Sequence, residues 1–408
     1  MLISIFNYKK TIIHFMKKYL YTAAVAAASI LHAQEKCKDI KINQIQVLGT
    51  HNSYAEPVDP RVLDLAAPII KNLMQKYDSG MSADQKAKFQ EYHPNGMDFT
   101  EALNYNHPGF TEQLNANLRG LELDVYYDPD GNRFNHPASY RILKEKGISD
   151  LAPHHTKNLD QPGFKLLHMA DIDFRSHYPT LKDALTELRQ WSDQHPQHTT
   201  LFIMVEAKDS GFPIFPNPTQ VLPFTQKAYD DLDQEILQYL GKDKIITPKE
   251  VQGDFATLQQ AVLHQNWPKA EDSRGKFVLM LLPGSAGTQS TKNNPYLING
   301  SLEKRLMFME SEPEDGFAAF ILKDNAIVRQ QEIQTLVKQG FIVRTRADIE
   351  THEAKINDLT RSKAAFSSGA QVVSTDFFRP GNAYGTSYFV KPPQDKDYIL
   401  NPVNTDCH

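Results

Sequence analysis

Short runs of apolar and β-branched residues alternate with stretches of helical period along most of the chain. The runs at 42–48 (INQIQVL), 121–127 (LELDVYY), 164–168 (FKLLH), 201–206 (LFIMVE), 277–282 (FVLMLL), 341–346 (FIVRTR) and 371–374 (QVVS) predict strands, and a further strand falls within 306–322. The runs at 201–206 and 277–282 are almost uninterruptedly apolar, as suits parallel strands covered on both faces. Between them, Leu181, Leu185, Leu188 and Trp191 repeat at helical spacing behind a candidate N-cap, Thr180. The segments 224–240, 255–264 and 327–338 show similar periods, and Gly340 follows the last as a helix stop. Eight strands with intervening helices predict a (β/α)8 barrel, with a doubly wound open sheet as the alternative. Segments 55–118 and 128–162, rich in Pro, His and Asn, read as long irregular insertions after the first and second strands. In a barrel they would lie on the face that carries the active site.

The N-terminus changes the picture of where the fold begins. Met16-Lys17-Lys18 leads into the apolar run TAAVAAASIL and then Ala33, the pattern of a secretory signal peptide. Residues 1–33 are therefore expected to be removed, with 1–15 an upstream extension, leaving 34–408 as one barrel domain. A membrane anchor is the alternative for this segment, but the run is short for a span, and no later run is long enough. The 408 residues carry 44 basic and 49 acidic side chains, a net charge of −5. Loss of residues 1–33, with four lysines and no acid, takes it to −9. That balance argues against nucleic-acid binding and against attraction of the whole molecule to an anionic membrane. Nothing in the pattern reports oligomeric state. The two cysteines, Cys37 and Cys407, bracket the exported chain. A closed barrel brings its ends together, so they form a candidate disulfide, with two free thiols as the alternative.

Polar residues gather at the predicted strand ends. His51-Asn52-Ser53 follows the first strand, the second carries Glu122 and Asp124, and the third ends in His168. The fourth ends in Glu206, followed by Lys208 and Asp209. The seventh carries Arg344 and Arg346, and the eighth leads into Ser374-Thr375-Asp376. Strand C-terminal ends converge in a barrel. Glu122 and Asp124, two apart, face the same side. Buried carboxylates in a group call for a cation, and an all-oxygen set suits Ca²⁺ or Mg²⁺ better than Zn²⁺. Each residue alone has an ordinary structural reading, and only their shared placement makes the case.

GTHNSY, ELDVYYDPDG, GFKLLHMADIDF, LFIMVEAKD, VRTRAD and SGAQVVSTDFF, taken in order over 44–378, resemble the bacterial Ca²⁺-dependent phosphatidylinositol-specific phospholipase C-like proteins. The resemblance implies a TIM barrel of the phospholipase C-like phosphodiesterases. It implies His51 and His168 as catalytic histidines and Asn52, Glu122, Asp124 and Glu206 as calcium ligands. Lys208 and Arg346 match positions that bind phosphate or the inositol ring. The implied reaction is attack of the inositol 2-hydroxyl on the phosphodiester of a membrane phospholipid, releasing diacylglycerol and a cyclic inositol phosphate. Glu122 or Glu206 would take the hydroxyl proton, His168 would protonate the leaving oxygen, and His51 and Arg346 would stabilise the developing charge. His136, 12 residues after Asp124, is the competing second histidine. A glycerophosphodiester phosphodiesterase is the alternative on the same barrel. That family typically has Arg where Asn52 stands, and an amide carbonyl ligates metal where a guanidinium clamps phosphate. A non-catalytic barrel is disfavoured by the presence of both histidines and all four ligands.

Overall fold

The computed structural model describes residues 39–284, 291–405 and 407. Eleven strands are present among them: β1 Ile45–Thr50, β2 Gly120–Asp128, β3 Gly163–Leu166, β4 Leu201–Ala207, β5 Ile245–Ile246, β6 Phe277–Pro283, β7 Phe308–Met309, β8 Phe320–Leu322, β9 Ile342–Arg346, β10 Val372–Thr375 and β11 Ile399–Leu400. Eight of them pair in parallel in the order β8-β9-β10-β1-β2-β4-β6-β7. A parallel bridge between Glu310 and Phe320 joins β7 to β8. The curled sheet is thereby a (β/α)8 barrel, as the alternation of strands and helices predicts. Its strands are buried nearly throughout, which is why the central ones read as unbroken apolar runs.

Two strand assignments change. The run at 164–168 is not a barrel strand. Its β3 portion pairs antiparallel with β2, Val125 opposite Leu166 through Asp128 opposite Gly163. β2 instead takes β4 as its parallel neighbour, six residues in register. The region 306–322 supplies two barrel strands of two and three residues rather than one. The total of eight survives because these two differences cancel. A five-residue apolar run carries no signal of strand direction, and a two-residue strand carries almost no period.

The helices keep their expected places. Leu181–Gln194 starts at Thr180, whose Oγ1 accepts from Asp183 N at 3.1 Å. Ala326–Gln339 ends at Gly340 in the left-handed region, φ 106°. The 255–264 segment shortens to Leu258–Leu263, behind a separate turn of helix at Pro248–Gln252. The insertion 55–118 is not irregular: it holds helices Pro60–Gly80 and Ala83–Tyr92. Asp59 caps the first of these, and Pro60 fits its first position. Pro68, inside the same helix, hides the period when the sequence is read alone. The insertions, together with the segment 167–174, build a second hydrophobic core around Val62, Ala66, Tyr140, Leu143 and Phe174, beside the main core of the barrel.

The chain's two ends meet at the base. β11 pairs antiparallel with the start of β1, and Asn401 N donates to Gln44 O at 2.9 Å. Cys407 is buried and disulfide-bonded. Cys37, like the expected signal segment 1–33, lies outside the described residues.

Candidate active site

β1 and β2 touch through a pair of glycines, and the site begins there. Gly49 lies opposite Gly120, and a Cβ on Gly49 would sit 2.4 Å from Gly120 O. This contact sets the height at which the following turn, Thr50-His51-Asn52-Ser53, leaves the barrel. Asn52 adopts φ 43°, a conformation asparagine tolerates better than most residues. Ser53 stitches the turn to β2: its N donates to Glu122 O at 3.1 Å, and Glu122 N donates to its Oγ at 2.8 Å. His107 steadies the turn from the insertion, its Nε2 bonding His51 O at 2.8 Å. Burial holds His107 down to about 4, so it is neutral at pH 7.

The strand register then assembles the carboxylates. Glu122 and Asp124 alternate on β2 toward one side, and Asp124 lies directly beside Glu206 in the parallel β2–β4 ladder. Ligand oxygens of Glu122, Asp124 and Glu206 fall within 4.8 Å of one another. Burial pushes Glu122 up to about 8, against the pull of Arg344, and Asp124 up to about 6, against that of Lys208. Both oxygens of Asp124 are buried and lack a hydrogen bond of good geometry. Lys208 Nζ meets the group as an ion pair, 3.0 Å from Asp124 Oδ2 and 2.9 Å from Glu206 Oε1. Burial alone would lower the Lys208 ammonium, but these two carboxylates raise it well above its ordinary value. Asn52 Nδ2 donates to Tyr105 OH at 2.5 Å, which leaves the amide oxygen, 3.4 Å from Tyr54 OH, as the available donor to a cation. An oxygen-only set with under-satisfied buried carboxylate atoms fits Ca²⁺.

Two histidine–aspartate dyads flank this cluster. His51 Nδ1 meets Asp376 Oδ1 at 2.9 Å, and His51 Nε2 stands 4.0 Å from Glu122 Oε1. Arg346 Nη2 donates to Asp376 Oδ2 at 2.9 Å. Burial opposes ionisation of Asp376, but His51 and Arg346 outweigh it and hold the carboxyl at about 2. Burial and the Arg346 charge lower His51 to about 3, so its imidazole is neutral at pH 7. The second dyad is His168 Nδ1 with Asp173 Oδ2 at 2.8 Å. Leu167 N donates to Asp124 O at 3.3 Å, which brings His168 to the edge of the cluster although β3 is not in the barrel. His136 is exposed and lines a separate cavity of about 650 Å³ with His154, Tyr140 and Arg141.

The eight residues expected from the sequence therefore converge on one end of the barrel. Several neighbours were not assigned roles there. Asp376 and Asp173 orient the two histidines, and Arg344 Nη2 holds Glu122 Oε2 at 2.8 Å. Asp376 follows a predicted strand and Asp173 lies five residues after His168, so both had a signal. Tyr105 and His107, in the insertion, had none. Phe110, within the first insertion, and Tyr126 and Tyr127, just before the second, are core residues. In the second insertion, His154 is half-buried against Phe174 and His155 is exposed.

A parallel barrel with acidic strand ends and paired histidines is the framework of a metal-assisted phosphodiesterase. The family model described as phosphoinositide phospholipase C, Ca²⁺-dependent, matches residues 40–402, and the chain belongs to that family. It is thus an enzyme of the phospholipase C type with Ca²⁺ as cofactor. The chain is similar to the Ca²⁺-dependent phosphatidylinositol-specific phospholipase C of Streptomyces antibioticus, at 14% identity and a TM-score of 0.47, over 83% of this chain and 95% of that one. It is also similar to the calcium-dependent phosphoinositol-specific phospholipase C of a Pseudomonas species, at 14% identity and 0.48, over 90% and 97%. No curated protein matches it. Among the described residues, no helix is long and apolar enough to cross a membrane.

Proposed function

We propose that this chain is an exported phosphodiesterase that cleaves phosphatidylinositol, or its glycosylated derivatives, to diacylglycerol and a cyclic inositol phosphate. The observation that carries the reading is the His51–Asp376 dyad beside the Glu122–Asp124–Glu206 cluster, with His51 Nε2 4.0 Å from Glu122. Ca²⁺ on Asn52, Glu122, Asp124 and Glu206 would neutralise phosphoryl charge and acidify the attacking hydroxyl. With Nδ1–H directed to Asp376, His51 Nε2 holds a lone pair toward the cluster. We therefore assign it the proton of the inositol 2-hydroxyl, ahead of Glu122, which Arg344 already engages. The hydroxyl oxygen bonds to phosphorus as the bond to the diacylglycerol oxygen breaks. His168, oriented by Asp173, delivers a proton to that leaving oxygen. Arg346, fixed by Asp376, and Lys208 face the phosphate and ring.

The test is hydrolysis of phosphatidylinositol by the purified protein, with Ca²⁺ and with chelator, alongside phosphatidylcholine and glycerophosphoinositol. Calcium-dependent release of diacylglycerol and cyclic inositol phosphate, lost in His51→Ala and His168→Ala, is the expected result. Cleavage of glycerophosphoinositol alone would refute it in favour of a glycerophosphodiesterase. Full activity in His168→Ala with loss in His136→Ala would move the acid to His136.

A further inference from the structure

The insertion between β1 and β2 reaches across the barrel mouth. Asn325 Nδ2 donates to Glu91 O at 3.0 Å, Arg329 pairs with Glu91 at 2.6 Å, and Thr351 Oγ1 donates to Glu101 O at 3.0 Å. These partners follow the C-terminal ends of β8 and β9, so the insertion belongs to the same end of the barrel as the acidic cluster. Its helix Pro60–Gly80 has one apolar face. Val62, Ala66 and Ile70 bury the first half of that face in the second core. Ile69, Leu73 and Tyr77 continue it at helical spacing, but are 36%, 44% and 58% exposed. The face runs on past the core that should cover it.

A single exposed apolar residue needs no explanation, but the distribution of these does. Eight large hydrophobic side chains are exposed among the described residues. Three form this row. Ile327 and Val328 open the helix that follows β8, and Ile356 and Leu359 lie in the segment after β9. Leu263, ahead of β6, is the one toward the opposite end. Charge marks the row at one point. Lys76 borders it and is exposed, whereas Lys71 lies on the opposite stripe of the helix between Asp64 and Asp78, within a protein of net charge −5.

We propose that the row Ile69, Leu73 and Tyr77 docks the enzyme on the anionic surface of a phospholipid bilayer, the helix lying in the interface with Lys76 toward the headgroups. This rests on the lipid-cleaving reading above and names the surface that delivers the barrel mouth to its substrate. The row is apolar enough to enter the acyl boundary, and Lys76 beside it complements a negative leaflet that the rest of the molecule would repel.

The experiment is flotation of the full protein, in chelator, with phosphatidylcholine vesicles with and without phosphatidylglycerol. Wild type should float preferentially with the anionic vesicles. Leu73→Glu/Tyr77→Glu, with an unchanged thermal melt, should bind about tenfold or more weaker, while Leu263→Glu binds as wild type. In Ca²⁺, the double variant should lose turnover of vesicular phosphatidylinositol but keep that of short-chain phosphatidylinositol dispersed as monomers. Wild-type binding by the double variant, or parallel loss on the dispersed substrate, would overturn the proposal. So would concentration-dependent dimers of wild type that Leu73→Glu abolishes, because the row would then be a contact between copies. Row-dependent vesicle binding by a wild type that releases no diacylglycerol would leave the docking surface intact and refute the catalytic reading.

Discussion

Replacing Gly49 by alanine tests the link between barrel packing and catalysis. The added Cβ would stand 2.4 Å from Gly120 O and 2.6 Å from both Gly120 C and Cα, all backbone atoms of the neighbouring strand. No side chain can rotate away to make room. Restoring an ordinary contact of about 3.4 Å requires β1 and β2 to part by roughly 1 Å, an overpacking strain of about 1–3 kcal/mol. For a chain of this length that lowers Tm by about 1–4 °C. The larger effect is on turnover. β1 leads into His51 and Asn52, β2 carries Glu122 and Asp124, and the Ser53–Glu122 bonds that tie them lie directly above the glycine pair. A displacement of about 1 Å between reacting groups costs on the order of 10²-fold in rate. Differential scanning calorimetry and calcium-dependent diacylglycerol release from phosphatidylinositol measure the two effects. Gly120→Ala should be milder, because its new Cβ first meets Val372 Cγ1 at 3.0 Å, a side chain that can yield. Unchanged melting and a kcat within about threefold of wild type in Gly49→Ala would refute the argument that this contact sets the site.

Asp376→Asn keeps the shape but loses the carboxylate shared by His51 and Arg346; with each charged hydrogen bond worth about 1.5–3 kcal/mol, kcat should fall roughly 10–10²-fold with KM nearly unchanged. Lys208→Met removes the ammonium between Asp124 and Glu206, so calorimetry should find Ca²⁺ bound about tenfold tighter while the metal-free protein melts lower. His198, remote from the mouth, bonds Thr199 O at 2.7 Å and Ser192 Oγ at 2.8 Å, and burial lowers it to about 4. Its folded value lies below its unfolded one, so its share of stability is complete above about pH 6.5 and is lost as pH falls toward 4. At pH 5 the loss is about 2 kcal/mol, and urea unfolding of His198→Gln should show a shallower decline over that window than wild type.

The chemistry was legible in the sequence because it sits where periodicity is strongest. β4 and β6 are buried on both faces and announce themselves as apolar runs, so Glu206 falls at a strand end before any coordinates are known. Glu122 and Asp124 share a face by the two-residue repeat alone. The direction of the third predicted strand was not legible. Gly163–Leu166 reads as another barrel strand, yet it returns antiparallel on β2, since direction depends on which edge is free and not on side-chain pattern. Helix Pro60–Gly80 was hidden by Pro68 and by an apolar face that the local sequence cannot tell apart from a buried one.

The sequence by itself therefore determined the kinds of groups at the mouth and the strands that carry them, because composition and local period are properties of neighbours along the chain. Only the tertiary structure decided that Asp124 lies beside Glu206, that Asp376 holds both His51 and Arg346, and that Arg344 crosses the barrel to Glu122. Those contacts depend on register and barrel closure, which join residues up to 325 positions apart. Exposure of Ile69, Leu73 and Tyr77 was decided there as well, because whether an apolar face is covered depends on how far the neighbouring core extends.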